Sequence, residues 1–129
     1  MSNDDAKERF FDALDTFTKL DKSARSSSSK IDDKSFKKVI IDLDAAIPGL
    51  EGANLGRAIL LKALSLYWIY YKGLSKKNIF EIINNPIEKD PILMESHELS
   101  LKGKSILVKS NAPDNDIKWA DDLIRKTTQ

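Results

Sequence analysis

Residues 55–83, LGRAILLKALSLYWIYYKG followed at once by LSKKNIFEII, constrain this chain more than any other stretch. On a helical wheel Ile59, Leu60, Ala63, Leu64, Leu66, Tyr67, Tyr70 and Tyr71 cover more than half of the circumference. Arg57, Lys62, Ser65 and Lys72 fall on the remaining arc, together with Leu61, Trp68 and Ile69. A helix this apolar has to be surrounded by other helices. The spacing therefore predicts a central helix over 55–72, opened by Asn54 as N-cap and stopped at Gly73. A membrane span is the other fate open to such a segment. Its apolar run, Ile59–Tyr71, is too short to cross a bilayer and is interrupted by Lys62.

The flanking segments supply the neighbours. Phe10, Ala13, Leu14, Phe17 and Leu20 recur at spacings of three and four, which predicts an amphipathic helix over 1–22. Asp4, Asp5 and Glu8 sit in its first turn, where negative charge complements the helix dipole. The segment 23–33, SARSSSSKIDD, reads as a Ser-rich linker, because serine side chains compete with the helical backbone for hydrogen bonds. The N-terminal helix is then either an arm or docked on the remainder, a core domain over 34–129. Within that domain a second helix is predicted over 34–47, with Phe36, Val39, Ile40, Leu43 and Ile47 inward and Pro48-Gly49 ending it. A short helix capped by Ser75 runs to about Asn84, and a last one covers 114–126 with Ile117, Ala120, Leu123 and Ile124 inward. Between them, Asp90-Pro91 suits a helix start. ELSLKGKSILV, however, alternates around Lys102-Gly103 and ends in a β-branched run, which predicts a small hairpin over 99–109. The fold class is mainly α: a compact bundle of about five helices around the central one, with that hairpin near the C-terminal end.

Composition narrows the functions. A chain of 129 residues fits one domain with one real core. Its formal net charge of +1 is far from that of a dedicated nucleic-acid coat. Cysteine is absent, which removes disulfides, thiolate nucleophiles and Cys-ligated metals. The N-terminal segment is acidic and helical, unlike a secretory signal, so a cytoplasmic protein is the plain expectation. His97, the one histidine, stands between Glu95 and Glu98, but ligands so close in sequence rarely converge on one ion. No metal, cofactor or catalytic residue is predicted. With one histidine and no thiol, acid–base chemistry would rest on carboxylates or lysines, and the chain is read as no enzyme.

Binding functions remain. Trp68, on the polar arc with Lys72 one turn on and Arg57 further back, has the composition of an interface hot spot. Its bland reading is a tryptophan covered by another helix. Phe10, Leu14 and Phe17, joined to the core by the serine linker, could dock into a partner or complete the bundle. These six residues make a protein partner or a homo-oligomer the leading expectation, with no membrane involved.

The segment YYKGLSKKNIFEII resembles the start of a helix-turn-helix, and GLSKKNI is similar to a GLSxKxI segment found in many helix-turn-helix regulators. The resemblance covers about a dozen residues. The next segment of the chain, NNPIEKDPILMESHEL, is acidic and broken by proline, unlike a recognition helix. The resemblance then implies that the helix from Lys76 to Asn84 would itself enter the groove, with Lys76, Lys77 and Asn78 at its N-terminus. Lys102 and Lys104, at the tip of the predicted hairpin, would act as a wing on phosphates. A DNA-binding regulator is the second reading.

Overall fold

A computed structural model describes residues 3–26, 33–76 and 90–128. Among the described residues there are five α-helices and no strand: α1 (Asn3–Ser26), α2 (Asp33–Ala46), α3 (Gly52–Lys76), α4 (Pro91–Lys109) and α5 (Asp114–Thr127), with a 3-10 turn at Ile47–Gly49 after α2. The chain is a mainly α bundle built on the central apolar helix.

Cross-helix contacts fix the directions. Asn3 reaches Glu51, just before α3, while Asp21 reaches Trp68 near its far end, so α1 runs parallel to α3. Lys62 of α3 pairs with Asp44 of α2 at 2.8 Å, and Phe36 of α2 stacks on Trp68, so α2 runs the other way. Gly56 faces Gly103, and Ser96 Oγ donates to the Ala63 carbonyl at 2.6 Å, so α4 is antiparallel to α3. Lys104–Asp121 and His97–Thr127 contacts turn α5 back again. The result is an up-and-down bundle in which α1 and α2 pack on one side of α3, α4 and α5 on the other.

The side of α3 expected to stay open is therefore filled. Ala58, Leu61 and Ile69 are buried with Ala6, Phe10, Ala13 and Phe17 of α1 and Phe36, Val39, Leu43 and Ala46 of α2. Leu60 points the opposite way, into a cluster with Leu107 and Ala120. Ser65 is fully buried and donates to the Leu61 carbonyl at 2.9 Å, so its hydroxyl is satisfied within the helix. The buried residues of α1 recur at spacings of four, three and four, so this helix is docked within the chain. It also continues past Lys22 to Ser26, taking the first residues of the expected linker. Residues 27–32 lie outside the described set.

Besides the end of α1, three features differ from the sequence-based expectation. Helix α3 opens at Gly52, in the left-handed region with φ +63°, rather than after Asn54. Nor does it stop at Gly73. It runs through to Lys76, and a glycine inside a helix is destabilising by only about 1 kcal/mol relative to alanine. Ser75 and Lys76 thus belong to α3, and the remainder of the expected short helix lies outside the described residues.

The third difference is larger. The hairpin predicted over 99–109 is helical, part of α4. Asp90 caps this helix, its carboxylate accepting from the Ile92 and Leu93 amides at 2.8 and 3.3 Å, and Pro91 occupies the first turn. At the other end Asn111 adopts φ 55°, the Ala112 amide donates to the Leu107 carbonyl at 3.0 Å and the Asn111 amide to the Val108 carbonyl at 3.2 Å. That is a Schellman stop, with Ala112 packed on the Leu107 cluster. Gly103, expected as a turn residue, is a packing residue. A Cβ there would lie 2.9 Å from Leu60 Cγ and 3.2 Å from the Gly56 carbonyl oxygen. One built on Gly56 would lie 2.8 Å from Leu107 Cγ. Paired glycines let the two backbones approach closely.

Candidate interaction surface

Of the six residues expected from sequence to bind a partner, Phe10 and Phe17 are buried and Leu14, Arg57 and Trp68 are half-buried. Leu14 packs against the same cluster as the two phenylalanines. Phe17 meets Phe36 edge-on with centroids 6.0 Å apart. Phe10 and Phe17 are covered by α2 and α3 within the chain. Trp68 is held from three directions: stacked on Phe36 at 6.1 Å and 15°, met edge-on by Tyr71 at 5.8 Å, and donating Nε1–H to Asp21 Oδ1 at 2.9 Å. It locks α1 and α2 to α3. Arg57 spans to the other side, donating to Asp116 from Nε at 3.2 Å and from Nη2 at 2.8 Å, and to Asn54 Oδ1 at 3.2 Å. It ties α3 to the start of α5. Lys72 and Lys76 lie on the α3 backbone, and their side chains are outside the described set, as are Lys77 and Asn78 altogether. The lysines expected on a wing stand on α4 instead. Lys102 is exposed, and Lys104 pairs with Asp121 at 2.6 Å.

Tyr67, Tyr70 and Tyr71 cluster with Trp68, and the Tyr70 hydroxyl is pushed above the usual tyrosine range, first by burial and then by the nearby charges of Asp90 and Tyr67. His97 Nδ1 lies 3.0 Å from Thr127 Oγ1, whose hydroxyl donates to the Leu123 carbonyl at 2.8 Å, so the imidazole joins α4 to the end of α5. Among the described residues, no group of three or more His, Cys, Asp or Glu side chains is placed to hold a metal ion. No described helix is long and apolar enough to cross a membrane.

Sequence reasoning missed a row of exposed apolar side chains on α4. Met94, Leu101 and Val108 are 42%, 47% and 55% exposed. They stand seven residues apart, so they line one stripe of the helix, about 20° of drift per step. The opposite side of α4, with Leu93, Ser96, Ser100, Gly103 and Leu107, is buried. The exposed residues nearest the stripe on one flank are Glu98 and Ser105, about 40° round the helix, while exposed Glu95, Lys102 and Lys109 lie about 100° from it. The signal for this surface was present in the spacing, but it has meaning only once 99–109 is helical. Phe11, Ile41 and Tyr71 are exposed as well, each on a different helix. Scattered apolar residues are ordinary on a protein surface, whereas an aligned row is not.

No family model, curated protein or solved structure matches this chain.

Proposed function

We propose that this chain is a non-enzymatic protein-binding module that uses the outer face of α4. The observation that carries the reading is the alignment of Met94, Leu101 and Val108 along one helical stripe, outside the two buried clusters. Apolar anchors repeating along an exposed helix are the elements of helix-in-groove and helix–helix recognition. The rigid scaffold helps, because α4 is capped at both ends and packed along its length on α3, so little ordering is required on binding.

A photo-crosslinking amino acid placed at Leu101 or Val108 in the native cell tests this, with exposed Lys118 of α5 as the control position. Protein adducts at the two α4 positions and none at Lys118 are expected. No adduct at Leu101 and Val108, or equal capture at Lys118, would overturn the reading.

A further inference from the structure

We infer that Tyr71 is a site of oxidative modification: when a peroxide-derived radical or another one-electron oxidant strikes Trp68, the oxidation is relayed along α3 and comes to rest on Tyr71.

The rings are already in contact. Trp68 and Tyr71 stand three residues apart on α3, so helical spacing alone brings their side chains together. Their centroids are 5.8 Å apart and their planes nearly perpendicular. Tyr67 lies 6.5 Å from Trp68 and 6.4 Å from Tyr71, which closes a triangle of rings. Tyr70 joins that triangle through Tyr67, at 6.5 Å. An electron passes between neighbouring rings without any helix having to move. The chain has no cysteine to intercept an oxidant, so indole and phenol are its most readily oxidised groups.

The proton has a place to go at each step. Trp68 first gives one electron to the oxidant. The indole cation that results is acidic, and its Nε1–H already donates to Asp21 Oδ1 at 2.9 Å, so the carboxylate takes the proton. The neutral indolyl radical then recovers an electron from Tyr71 and its proton from Asp21. Tyr71 loses that electron together with its phenolic proton, which passes to water, and remains as a neutral tyrosyl radical. Phenol is the better reductant at neutral pH only where its proton can leave. That condition selects among the three tyrosines. Tyr71 is 48% exposed, whereas Tyr67 and Tyr70 are half-buried, and burial makes the Tyr70 hydroxyl hold its proton more tightly. Two such radicals on separate chains join by a carbon–carbon bond between their rings. The ring hydrogen at each end of the new bond moves to the phenolic oxygen, and the product is dityrosine.

The test exposes the full chain carrying Trp119→Phe, which leaves Trp68 as the one tryptophan, to azide radical made by pulse radiolysis. Azide radical oxidises indole in preference to phenol at neutral pH. The indolyl absorption is expected to decay as the tyrosyl absorption grows, at one rate that does not change with protein concentration. Peptide mapping of the products should find dityrosine joining Tyr71 to Tyr71. Tyr71→Phe should remove that crosslink, and Trp68→Phe should lower its yield several-fold, with the circular dichroism spectrum of each variant unchanged. A transfer rate that scales with protein concentration, a crosslink that maps to Tyr67 or Tyr70, or an undiminished yield in a folded Trp68→Phe chain would overturn the proposal. The rate and the mapping leave the aromatic cluster intact, so they decide the matter if Trp68→Phe does not fold.

Discussion

At Gly103 the usual helical preference for alanine over glycine is reversed. On an open helix the change would stabilise by about 1 kcal/mol. Here the new methyl would press on Leu60, which is fully buried and cannot swing away, and on the Gly56 carbonyl, which is backbone. Overpacking of this kind typically destabilises by about 1–3 kcal/mol. Gly103→Ala is therefore expected to lower the urea midpoint, and a second change, Leu60→Val, to recover part of the loss. An additive double mutant would show that the two positions do not compete for space. Tyr70 gives a second residue-level expectation. Its folded pKa lies above its unfolded value of 10.0, so the unfolded chain gives up this proton first as pH rises. The stability it contributes is complete below about pH 10 and is lost as pH climbs through the folded value. Tyr70→Phe should flatten that alkaline decline, measured as chemical denaturation between pH 9 and pH 12, both bounds being about one to two units around the tyrosine reference. An unchanged slope in the variant would assign the decline to other groups.

Helix α1 is structural at the level of the element. Ala6, Phe10, Ala13 and Phe17 are all buried against α2 and α3, and Asp21 holds the Trp68 indole. Phe10→Ala is expected to destabilise by about 3–5 kcal/mol. Deleting residues 3–26 should abolish cooperative thermal unfolding followed by near-ultraviolet circular dichroism. A truncated chain that still melts sharply would restore the picture of a detachable arm. The apolar periodicity of α1, α2, α3 and α5 was legible in the sequence because their inward faces carry large apolar side chains. Helix α4 was not, for a physical reason. Its inward face is built largely from Ser96, Ser100 and Gly103, small residues that allow close approach to α3, so the apolar signal there is faint. Its exposed Leu101 and Val108 fall in the run LSLKGKSILV, where Leu99 and Leu101 alternate with polar neighbours and a β-branched end follows, which mimics a strand. Ser100 hides the helix further, since its hydroxyl donates at 2.7 Å to the Ser96 carbonyl within the same helix, although serine ordinarily favours turns. The interaction surface was lost with the helix. Arg57 and Trp68 stood out in the sequence as unusual, but their partners, Asp116 and Asp21, are 59 and 47 residues away along the chain. No local pattern encodes such a pairing.

At the scale of the whole molecule, α3 is common property. The α1–α2 pair and the α4–α5 pair each bury their apolar faces on it, and they make little contact with one another. Either half losing α3 would expose the other side of the same helix, so the bundle should unfold in one step. The two tryptophans report on this. Trp68 sits among the α1–α2 residues, whereas Trp119 of α5 packs against both buried clusters, so Trp68 reports on one side of α3 and Trp119 on the junction of the two. Fluorescence of Trp68→Phe and Trp119→Phe variants, each corrected for its own stability by circular dichroism, should give a fluorescence midpoint equal to its circular dichroism midpoint. Midpoints that separate in either variant would mean that the halves melt independently. The two-sided helix has one more consequence. Cut between Glu51 and Gly52, in the exposed turn before α3, the chain becomes two pieces. One is a helical hairpin with nothing to lie on. The other, with three helices among its described residues, has Ala58, Leu61 and Ile69 bare to water. Each piece carries the apolar surface that the other buries, so the two halves are expected to regain helicity when mixed, checked by circular dichroism of each alone and of both together.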